Sequence, residues 1–476
     1  MRKTKIICTI GPATDGLYEE LITTGMDAAR FNFSHGDHES HGRRISELKK
    51  ARGNLGIPIP LVLDTKGPEM RIGVLKEKAT LINGHEIILT VKDIESNAKV
   101  VSISNKTLYE KVDVGQSIFI DDGSINLEVL EIVDKDIKCK VVSGGVLSSR
   151  KGVNVPGCDT GLPFMSEQDL KDIEFGIDMD FDFIALSFIH SAKDIFTVKE
   201  ILKRKHSEDT KIIAKIENSE AVKNIDEIIA AADSIMIARG DLGIELPVST
   251  VPIIQKQLIK KCYSCSKPVI VATQMLESMT ENPIPTRAEV SDVANAIFDG
   301  TSVVMLSGET AAGMFPVETL QMMTQVINEA ETSIDYRARF DSNKLQSADN
   351  NILNTISEAS VITSFKINAK AIIVPTRSGN SARMIPSFRP SCPIIAISMD
   401  NTIQRQLNIS WGIKPMLNKF ITDQKELFEK AMEKAIETDL VENGDMVILT
   451  AGIPTGSEGT TNMLKLHKIG DEVIGN

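Results

Sequence analysis

The sequence of 476 residues is poor in aromatic side chains, which make up 4% of it, and it contains a single tryptophan. Positive charge is not in excess either, since 53 Lys and Arg face 65 Asp and Glu, for a formal net charge of -12. Binding of nucleic acid needs a basic surface for the phosphates and aromatic side chains for base stacking. We therefore expect no nucleic acid partner.

Long hydrophobic runs and a cysteine framework are also missing. The apolar stretches are interrupted by charge, Gly or Pro well short of the roughly 18 residues of a membrane-spanning helix. The short apolar run after the basic start of the chain is ended by Gly11 and Pro12, too early for a secretory signal. The six Cys are scattered, unlike the disulfide framework of a small secreted domain. These absences predict a cytoplasmic protein without a membrane segment.

Eight short apolar runs rich in β-branched residues recur along the chain, separated by amphipathic stretches. Runs that are hydrophobic at nearly every position are typical of strands covered by helices on both faces. Eight such strand and helix units predict an α/β fold, a closed (β/α)8 TIM barrel. The runs are KTKIICTI, MDAARFNFS, IPLVLDT, FDFIALSF, KIIAKIE, SIMIAR, PVIVAT and SVVML.

Two segments depart from this alternation, in a chain long enough for about three domains. Residues 67–164 contain short alternating runs and the turn pairs Asn83-Gly84 and Asp122-Gly123, which predict an inserted all-β domain, a small β-barrel lid. The barrel is then discontinuous, over residues 1–66 and 165–345. The runs AIIVPT, PIIAISM and DMVILTAG predict a C-terminal α/β regulatory domain over residues 346–476.

Polar residues gather at the carboxyl ends of the predicted barrel strands, where TIM barrels carry their active sites. Arg30, Asn32 and Ser34 are spaced two apart, so their side chains leave the same face of the second strand. Lys215 and Glu217 repeat this spacing on the fifth strand. The other strand ends carry Asp64, Thr65, Glu69, Arg71, Arg239, Asp241, Thr273, Gln274, Ser307 and Glu309.

The residue types at these strand ends suit an anionic substrate and a divalent metal. Glu217 and Asp241 follow neighbouring strands and offer two hard oxygen ligands for Mg²⁺. Lys215 beside such a metal suits phosphoryl groups, whose charge spreads during transfer. The alternative, structural ion pairs, stays open for any single pair, but polar residues suited to one site end six of the eight strands.

Several long motifs of the sequence resemble the pyruvate kinase family, in that family's order along the whole chain. They are ARFNFSHG, LDTKGPEMR, AKIEN, ARGDLGIELP, ATQMLESM, SGETAAGMFPVE and the closing GTTNMLKL. The resemblance implies transfer of the phosphoryl group of phosphoenolpyruvate to ADP, which gives pyruvate and ATP in the last step of glycolysis. Because the sequence ends soon after GTTNMLKL, we expect no additional C-terminal extension of the kind that some bacterial members carry.

The resemblance also implies the roles of the catalytic residues. Lys215 stabilises the transferring phosphoryl group, and Arg30 clamps the phosphate. Glu217 and Asp241 hold Mg²⁺, which bridges the substrate carboxylate and phosphate. The backbone at Gly240 and Asp241 receives the carboxylate, and Thr273 flanks the substrate and serves the protonation of enolpyruvate.

A potassium site and a nucleotide site follow from the same resemblance. Asn32, Ser34, Asp64 and the carbonyl of Thr65 match the K⁺ ligands. Glu69 stands where potassium-dependent members have Glu and independent members have Lys, which predicts K⁺ dependence. The ADP and ATP contacts match Asn32, Phe33, Ser34, His35, Arg71 and Lys151, and the place of Lys151 in the inserted domain implies closure over the nucleotide.

The predicted C-terminal domain has a polar loop between its first strand and the following helix. Hydroxyls and backbone N–H groups at a helix start suit a phosphate. The resemblance implies an allosteric phosphosugar or nucleotide effector here and a homotetramer, while the alternative is an ordinary polar loop. The loop residues are Thr376, Ser378, Gly379, Asn380 and Ser381.

Two other functions compete with this interpretation. A Mg²⁺-dependent barrel lyase acting on 2-oxo acids would also need two carboxylates and an arginine at the mouth, although the inserted domain and Lys151 argue against it. A regulatory barrel that binds phosphorylated metabolites without catalysis is the other alternative. Against it, Lys215, Glu217, Asp241 and Thr273 are all present.

Overall fold

The described part of the chain folds into 21 strands and 16 α-helices. The computed structural model of the protein describes residues 1–343, 351–419, 421, 423–453 and 461–472. The strands are β1 (Lys5–Thr9), β2 (Ala28–Asn32), β3 (Leu61–Asp64), β4 (Ala79–Thr80), β5 (Glu86–Thr90), β6 (Val100–Ser102), β7 (Ser117–Ile120), β8 (Ile125–Val133), β9 (Asp136–Ser143), β10 (Val146–Leu147), β11 (Val153–Asn154), β12 (Phe183–Leu186), β13 (Lys211–Ile216), β14 (Ser234–Ala238), β15 (Val269–Ala272), β16 (Val303–Leu306), β17 (Ala371–Thr376), β18 (Ile394–Ser398), β19 (Ile413–Leu417), β20 (Met446–Gly452) and β21 (Thr461–Lys468).

The helices mostly follow the strands that they cover. They are α1 (Tyr18–Thr24), α2 (His38–Leu55), α3 (Glu167–Asp178), α4 (Ala192–Arg204), α5 (Ser219–Lys223), α6 (Ile225–Ala231), α7 (Arg239–Glu245), α8 (Val251–Ser264), α9 (Arg287–Asp299), α10 (Gly308–Ala311), α11 (Pro316–Thr332), α12 (Tyr336–Asn343), α13 (Ile352–Ile367), α14 (Asn380–Met384), α15 (Asn401–Leu407) and α16 (Gln424–Ile436). None of these described helices is long and apolar enough to cross a bilayer.

Eight parallel strands close into a barrel, which confirms the predicted TIM barrel. They hydrogen-bond in the order β1, β2, β3, β12, β13, β14, β15 and β16, and β16 pairs again with β1. All eight predicted runs are strands, and their residues are almost entirely buried because helices cover the outside and side chains fill the inside. All eight strands run in the same direction, so their carboxyl ends meet at one mouth of the barrel.

The barrel helices begin at local sequence signals. Ser166 caps α3 by accepting the backbone N–H of Asp169, and Thr286 caps α9 by accepting that of Glu289. In each case the acidic side chain reaches back to the capping residue, which satisfies backbone donors that have no partner inside the helix. These caps fix where the chain turns from the mouth into a helix.

The segment between β3 and β12 is all-β, with a hydrophobic core of its own. Its strands form a six-stranded sheet in the order β11, β7, β8, β9, β5 and β6, and a two-stranded pair of β10 and β4. The β-barrel expected here is thus an open arrangement of two sheets among the described strands. The extent 67–164 stays a prediction.

The C-terminal part contains a five-stranded sheet in the order β19, β18, β17, β20 and β21, covered by helices. The runs AIIVPT, PIIAISM and DMVILTAG are its strands β17, β18 and β20, which confirms the predicted α/β fold. The edge strands β19 and β21 were not predicted, and β21 runs antiparallel to β20. The proposed boundary at residue 346 and the first two residues of GTTNMLKL lie outside the described residues.

Candidate active site

Lys215 lies at the barrel mouth, enclosed by oxygen atoms from three strand ends. Its Nζ is 3.0 Å from Asp64 Oδ1 and 2.7 Å from Glu217 Oε1. It also donates to Ser187 Oγ at 2.7 Å. Burial opposes the charge of Lys215, but the carboxylates of Asp64, Glu217 and Asp241 outweigh burial and raise its pKa. Lys215 is therefore a fixed positive charge at neutral pH.

Arg30 supplies a second buried cation next to Lys215. Its Nε donates to Asp64 Oδ2 at 2.6 Å and its Nη1 donates to Thr9 Oγ1 at 2.9 Å. Burial opposes ionisation of Asp64, yet Arg30 and Lys215 together lower its pKa. Asp64 thus fixes both cations, and the two positive charges stand side by side where an anionic substrate would enter.

Glu217, which is buried, and Asp241, which is partly buried, form an acidic pair. Glu217 is oriented by Lys215 and by the backbone N–H of Phe188, which donates to Glu217 Oε2 at 2.6 Å. Burial, together with the charge of Glu217, raises the pKa of Asp241 to about 7, and Lys215 offsets this only in part. The second carboxylate therefore lacks a positive partner, which a divalent cation would supply.

The acidic pair fits Mg²⁺ rather than a metal held only by protein. Among the described residues, no group of three or more His, Cys, Asp or Glu side chains converges as a metal site. Mg²⁺ commonly binds through one or two carboxylates and completes its octahedron with water and substrate oxygens. Two carboxylates beside two cations suit that pattern.

The four residues matched to a K⁺ site end the adjacent strands β2 and β3. Asn32 and Asp64 are register partners in that pair. Asn32 Oδ1 accepts the backbone N–H of Ser34 at 3.1 Å, and the carbonyl of Thr65 accepts Ser187 Oγ at 2.7 Å. These four residues therefore lie at or just beyond the ends of two adjacent strands, and each carries an oxygen of the kind that a hard monovalent cation prefers.

Thr273 and Gly240 meet on the far side of the mouth. Gly240 N donates to Thr273 Oγ1 at 2.9 Å, and Thr273 Oγ1 donates to the carbonyl of Ala272 at 2.6 Å. Thr273 has a φ of 67°, which is unusual for a β-branched residue and stores backbone strain. Arg239 holds this turn, because its Nη2 donates to the carbonyl of Thr273 at 2.7 Å and to that of Gln274 at 3.0 Å.

The residues after β2 differ in what they can offer a nucleotide. The ring of Phe33 is buried and stacks on His41 with ring centroids 4.4 Å apart, so only its backbone is available. The side chain of His35 is exposed, and its carbonyl lies 2.8 Å from His41 Nε2. Phe33, predicted as a nucleotide contact, therefore cannot act through its side chain in this conformation.

Arg71 and Lys151 are engaged within the inserted segment. Arg71 Nε donates to Glu69 Oε2 at 2.8 Å, and its Nη1 donates to the carbonyl of Arg150 at 2.7 Å. Lys151 Nζ is 2.8 Å from Asp121 Oδ1. The hydrogen bonds and ion pairs of both side chains stay within residues 67–164 and do not reach Lys215.

A cleft of about 480 Å³ lies between the inserted segment and the barrel mouth. Asp122 and Gly152 line it from the inserted side, and Phe188 and Asp241 line it from the barrel. This volume is within the range of sites for small ligands and cofactors. The cleft therefore joins Asp241 to the segment that carries Arg71 and Lys151.

Sequence reasoning missed Ser187 and misassigned two other strand ends. Ser187 Oγ accepts from Lys215 and donates to the carbonyl of Thr65, so it joins the strand ends of β3 and β13. The only signal was its place directly after an apolar run.

Arg239 holds the Thr273 turn, and Glu309 accepts the backbone N–H groups of Leu276 and Ser307. Both residues hold loops, which corrects the expectation that all these polar strand ends serve one site.

The polar loop of the C-terminal sheet is a tight turn at the start of α14. Thr376 Oγ1 accepts the backbone N–H of Gly379 at 3.0 Å, and Gly379 has a φ of 82°. Ser381 Oγ pairs with Thr461 Oγ1, and Arg383 Nη1 donates to the carbonyl of Ser378 at 3.0 Å. The five predicted residues thus lie together around one turn.

Comparison with known proteins finds similar proteins over nearly the whole chain. The family model of the pyruvate kinase barrel domain matches residues 1–320, and that of the pyruvate kinase alpha/beta domain matches residues 354–467. The chain is 45% identical to a pyruvate kinase of Sporosarcina psychrophila and 45% identical to one of Geobacillus stearothermophilus, in each case over 99% of this chain and 81% of the relative.

A solved structure is also similar in fold. The crystal structure of a pyruvate kinase from Cryptosporidium parvum superposes with a TM-score of 0.93 at 38% identity, covering 98% of this chain and 96% of the other. These similarities favour neither the barrel lyase nor the regulatory barrel without catalysis. The chain belongs to the pyruvate kinase family of phosphotransferases, which transfer the phosphoryl group of phosphoenolpyruvate to ADP and yield pyruvate and ATP in the last step of glycolysis.

Proposed function

We propose that Lys215 and Arg30 carry the charge stabilisation in this reaction. The observation that supports the proposal is the buried Lys215 ammonium, held by Asp64, Glu217 and Ser187 in a site that also contains an ionisable but unpaired Asp241. Fixed cations in a buried site stabilise the charge that develops on a phosphoryl group without reorganisation. Arg30 holds the phosphate, and Lys215 faces the transferring group.

The substrate carboxylate is bound on the other side of the acidic pair. We assign it to the backbone of Gly240 and Asp241, at the start of α7, where backbone N–H groups have no partner inside the helix. The N–H of Gly240 donates to Thr273 Oγ1 and would exchange this partner for the carboxylate. Mg²⁺ held by Glu217 and Asp241 would supply the charge neutralisation that lets phosphate and carboxylate approach them. Thr273, held in its strained turn by Arg239, is the side chain that serves protonation of enolpyruvate.

We propose that binding of the nucleotide requires the inserted segment to move. Asn32, the backbone of Phe33, Ser34, His35, Arg71 and Lys151 are the proposed nucleotide contacts. Because Lys151 pairs with Asp121 and Arg71 pairs with Glu69, both cations must exchange these partners for nucleotide phosphates when the cleft closes.

We propose K⁺ as a second cation, bound by Asn32, Ser34, Asp64 and Thr65. Glu69 is the residue from which this dependence was predicted, and its carboxylate pairs with Arg71. We expect turnover to fall sharply in buffer free of K⁺ and Na⁺ and to return when KCl is added. Full activity in that buffer would contradict the proposal.

The decisive experiment measures pyruvate formation from phosphoenolpyruvate and ADP with Mg²⁺, with K⁺ present or omitted, in the native chain and in Lys215→Met. We expect K⁺-stimulated turnover that drops by about a hundredfold or more in the variant, while phosphoenolpyruvate still binds. Lys205→Met is the matched control, because Lys205 forms only an exposed ion pair with Glu174. Native turnover that survives in Lys215→Met would remove Lys215 from the mechanism.

For the C-terminal loop we propose an allosteric site for a phosphorylated metabolite, built by Thr376, Ser378, Gly379, Asn380 and Ser381. Ser378→Glu places a negative charge in the loop and should abolish the response to sugar phosphate or nucleotide effectors while basal turnover persists. An unchanged response in this variant would contradict the effector site. A homotetramer, as the family resemblance implies, and a cytoplasmic location, as expected from the sequence, complete the proposal.

A further inference from the structure

A second cavity lies at the opposite end of the barrel from the active site. Its volume is about 360 Å³, within the usual range for small-ligand sites. Lys211 and Ser234, which begin β13 and β14, line it from the barrel floor, and Arg383 of α14 and Gln406 of α15 line it from the C-terminal part. A molecule bound there would contact both parts of the chain.

The charge around this cavity is predominantly positive. Three cations, Lys211, Lys267 and Arg383, line it, against the single carboxylate of Asp233. Asp233 is partly engaged elsewhere, because its Oδ2 accepts the backbone N–H of Ile212 at 2.9 Å. Burial lowers the pKa of Lys267 and that of Arg383, and the charge of Asp233 opposes burial in both cases without cancelling it. A bound anion would relieve this imbalance.

The guanidinium of Arg389 gives a second, independent indication. It lies in a small adjoining cavity of about 20 Å³, which shares Ser266, Lys267 and Arg383 with the larger one. Arg389 is 3% exposed, and its Nε and Nη1 have no hydrogen-bond partner. Its Nη2 donates to the carbonyl of Gly300, and the rings of Trp411 and Tyr263 lie beside it. No described carboxylate forms a salt bridge with it.

A buried guanidinium with two unpartnered N–H groups is costly unless it binds an acceptor. Planar guanidinium groups bind carboxylates and phosphates through pairs of N–H donors. Lys267 and Arg383 line the same small cavity, so their charges would add to that of Arg389 in attracting an oxyanion, although Lys267 Nζ also donates to the carbonyl of Ala232 at 2.6 Å. The larger cavity then leaves room for the organic part of the ligand.

We propose that this floor cavity, lined by Lys211, Lys267 and Arg383 and adjoined by the small cavity of Arg389, binds a small phosphorylated metabolite through its phosphate. The site is separate from the active site and borders the loop of residues 376–381 on the side of Asn380. It is linked to that loop, because Arg383 Nη1 donates to the carbonyl of Ser378 and Asn380 lines the cavity. Occupation of the cavity would thus couple the barrel floor to the C-terminal loop.

Calorimetric titration of the full chain with inorganic phosphate and with glycerol 3-phosphate tests the proposal without measuring turnover. We expect Lys267→Gln to weaken binding of both probes by about tenfold or more, since it removes one of the converging charges. Lys203→Gln, which makes the same change on the exposed surface of α4, should leave binding as in the native chain. Equal binding in all three proteins would overturn the proposal.

A crystal structure with tungstate, an anomalous scatterer that mimics phosphate, tests the location directly. We expect a peak within hydrogen-bond distance of Arg389 and Lys267. A peak only at Lys215 or at the 376–381 loop would overturn the floor site while leaving the proposed function intact. Arg389→Gln should abolish the floor peak, and if that variant does not fold, Lys267→Gln provides the same comparison.

Discussion

The chemistry of the barrel mouth depends on a few buried charges that are unevenly paired. Asp64 has two cationic partners, Arg30 and Lys215, and remains ionised. Asp241 has none of its own, and burial beside Glu217 raises its pKa to about 7. A proton and a divalent metal therefore compete for Asp241 near neutral pH.

We predict that Mg²⁺ binds the substrate-free protein about tenfold more weakly at pH 6 than at pH 8, because a carboxyl group with a pKa near 7 is mostly protonated at the lower pH. Above pH 8 the affinity should level off. Calorimetric titration with MgCl₂ at a series of pH values checks this. An affinity that is flat across the series would contradict the assigned role of Asp241.

The same raised pKa has a consequence for stability in the absence of metal. The folded chain holds the proton of Asp241 more tightly than the unfolded chain, so ionisation of Asp241 costs stability as the pH rises from about 4 to about 7. Asp241→Asn removes this cost. The metal-free variant should therefore gain stability relative to the native chain at pH 8 and gain little at pH 4.

Among the elements, the turn that leads from β3 into the inserted segment is tightly constrained. Gly67 has a φ of +73°, and a Cβ there would lie 2.5 Å from Phe188 Cδ2 and 3.1 Å from Ser187 Cβ. Both neighbours belong to the site, because Ser187 contacts Lys215 and Phe188 N donates to Glu217. The close approach of this turn to Ser187 and Phe188 therefore holds the strand ends around Lys215 in place.

Gly67→Ala should cost about 2 kcal/mol or more of unfolding free energy and lower turnover, since it combines an unfavourable φ with displacement of Phe188. Gly84→Ala is the matched control: Gly84 has a φ of +84° in the turn between β4 and β5, and nothing lies within 4 Å of the added Cβ. It should cost about 1 kcal/mol and leave turnover unchanged. Urea unfolding and kcat measurements on both variants separate the cost of the unfavourable φ from the cost of the contact with Phe188. Equal effects of the two substitutions would contradict this explanation.

The elements that sequence reasoning found and those it missed differ in burial. The eight barrel strands were predicted because both of their faces are covered, which makes them hydrophobic at nearly every position. Strand β19 contains Lys414 and Pro415, and β21 mixes polar and apolar residues at the sheet edge. An edge strand with partly exposed faces has no continuous apolar run, so only its pairing identifies it.

In the whole molecule, the C-terminal sheet is tied to the barrel floor through a buried ion pair. Arg405 Nε donates to Asp182 Oδ1 at 2.8 Å, and Asp182 Oδ2 accepts the backbone N–H of Leu61 at 2.9 Å. Burial raises the pKa of Asp182, and Arg405 opposes this rise. Gln406 reinforces the junction by donating to the carbonyl of Asp209 at 2.7 Å.

Arg405→Ala should destabilise the chain by about 3 kcal/mol or more, because it leaves the carboxylate of Asp182 buried without its charged partner. Loss of Arg405 raises the pKa of Asp182 further, so the destabilisation should be larger at pH 8 than at pH 5. Lys205→Ala, which breaks the exposed pair with Glu174, should cost less than about 1 kcal/mol. Thermal unfolding at both pH values measures the difference. A variant as stable as native at pH 8 would show that the junction does not depend on this pair.

The sequence by itself determined the barrel, the inserted β segment and the polar strand ends, because hydrophobic periodicity and residue spacing are local properties of the chain. Lys215, Glu217, Asp64 and Arg30 were found in this way. The sequence did not determine which polar groups meet. Only the tertiary structure places Ser187 between Lys215 and Thr65. It also shows that Arg239 and Glu309 hold loops in place and that the ring of Phe33 is buried. It also brings Lys267, Arg383 and Arg389 to one cavity, because contacts between distant segments are set by packing of the whole chain.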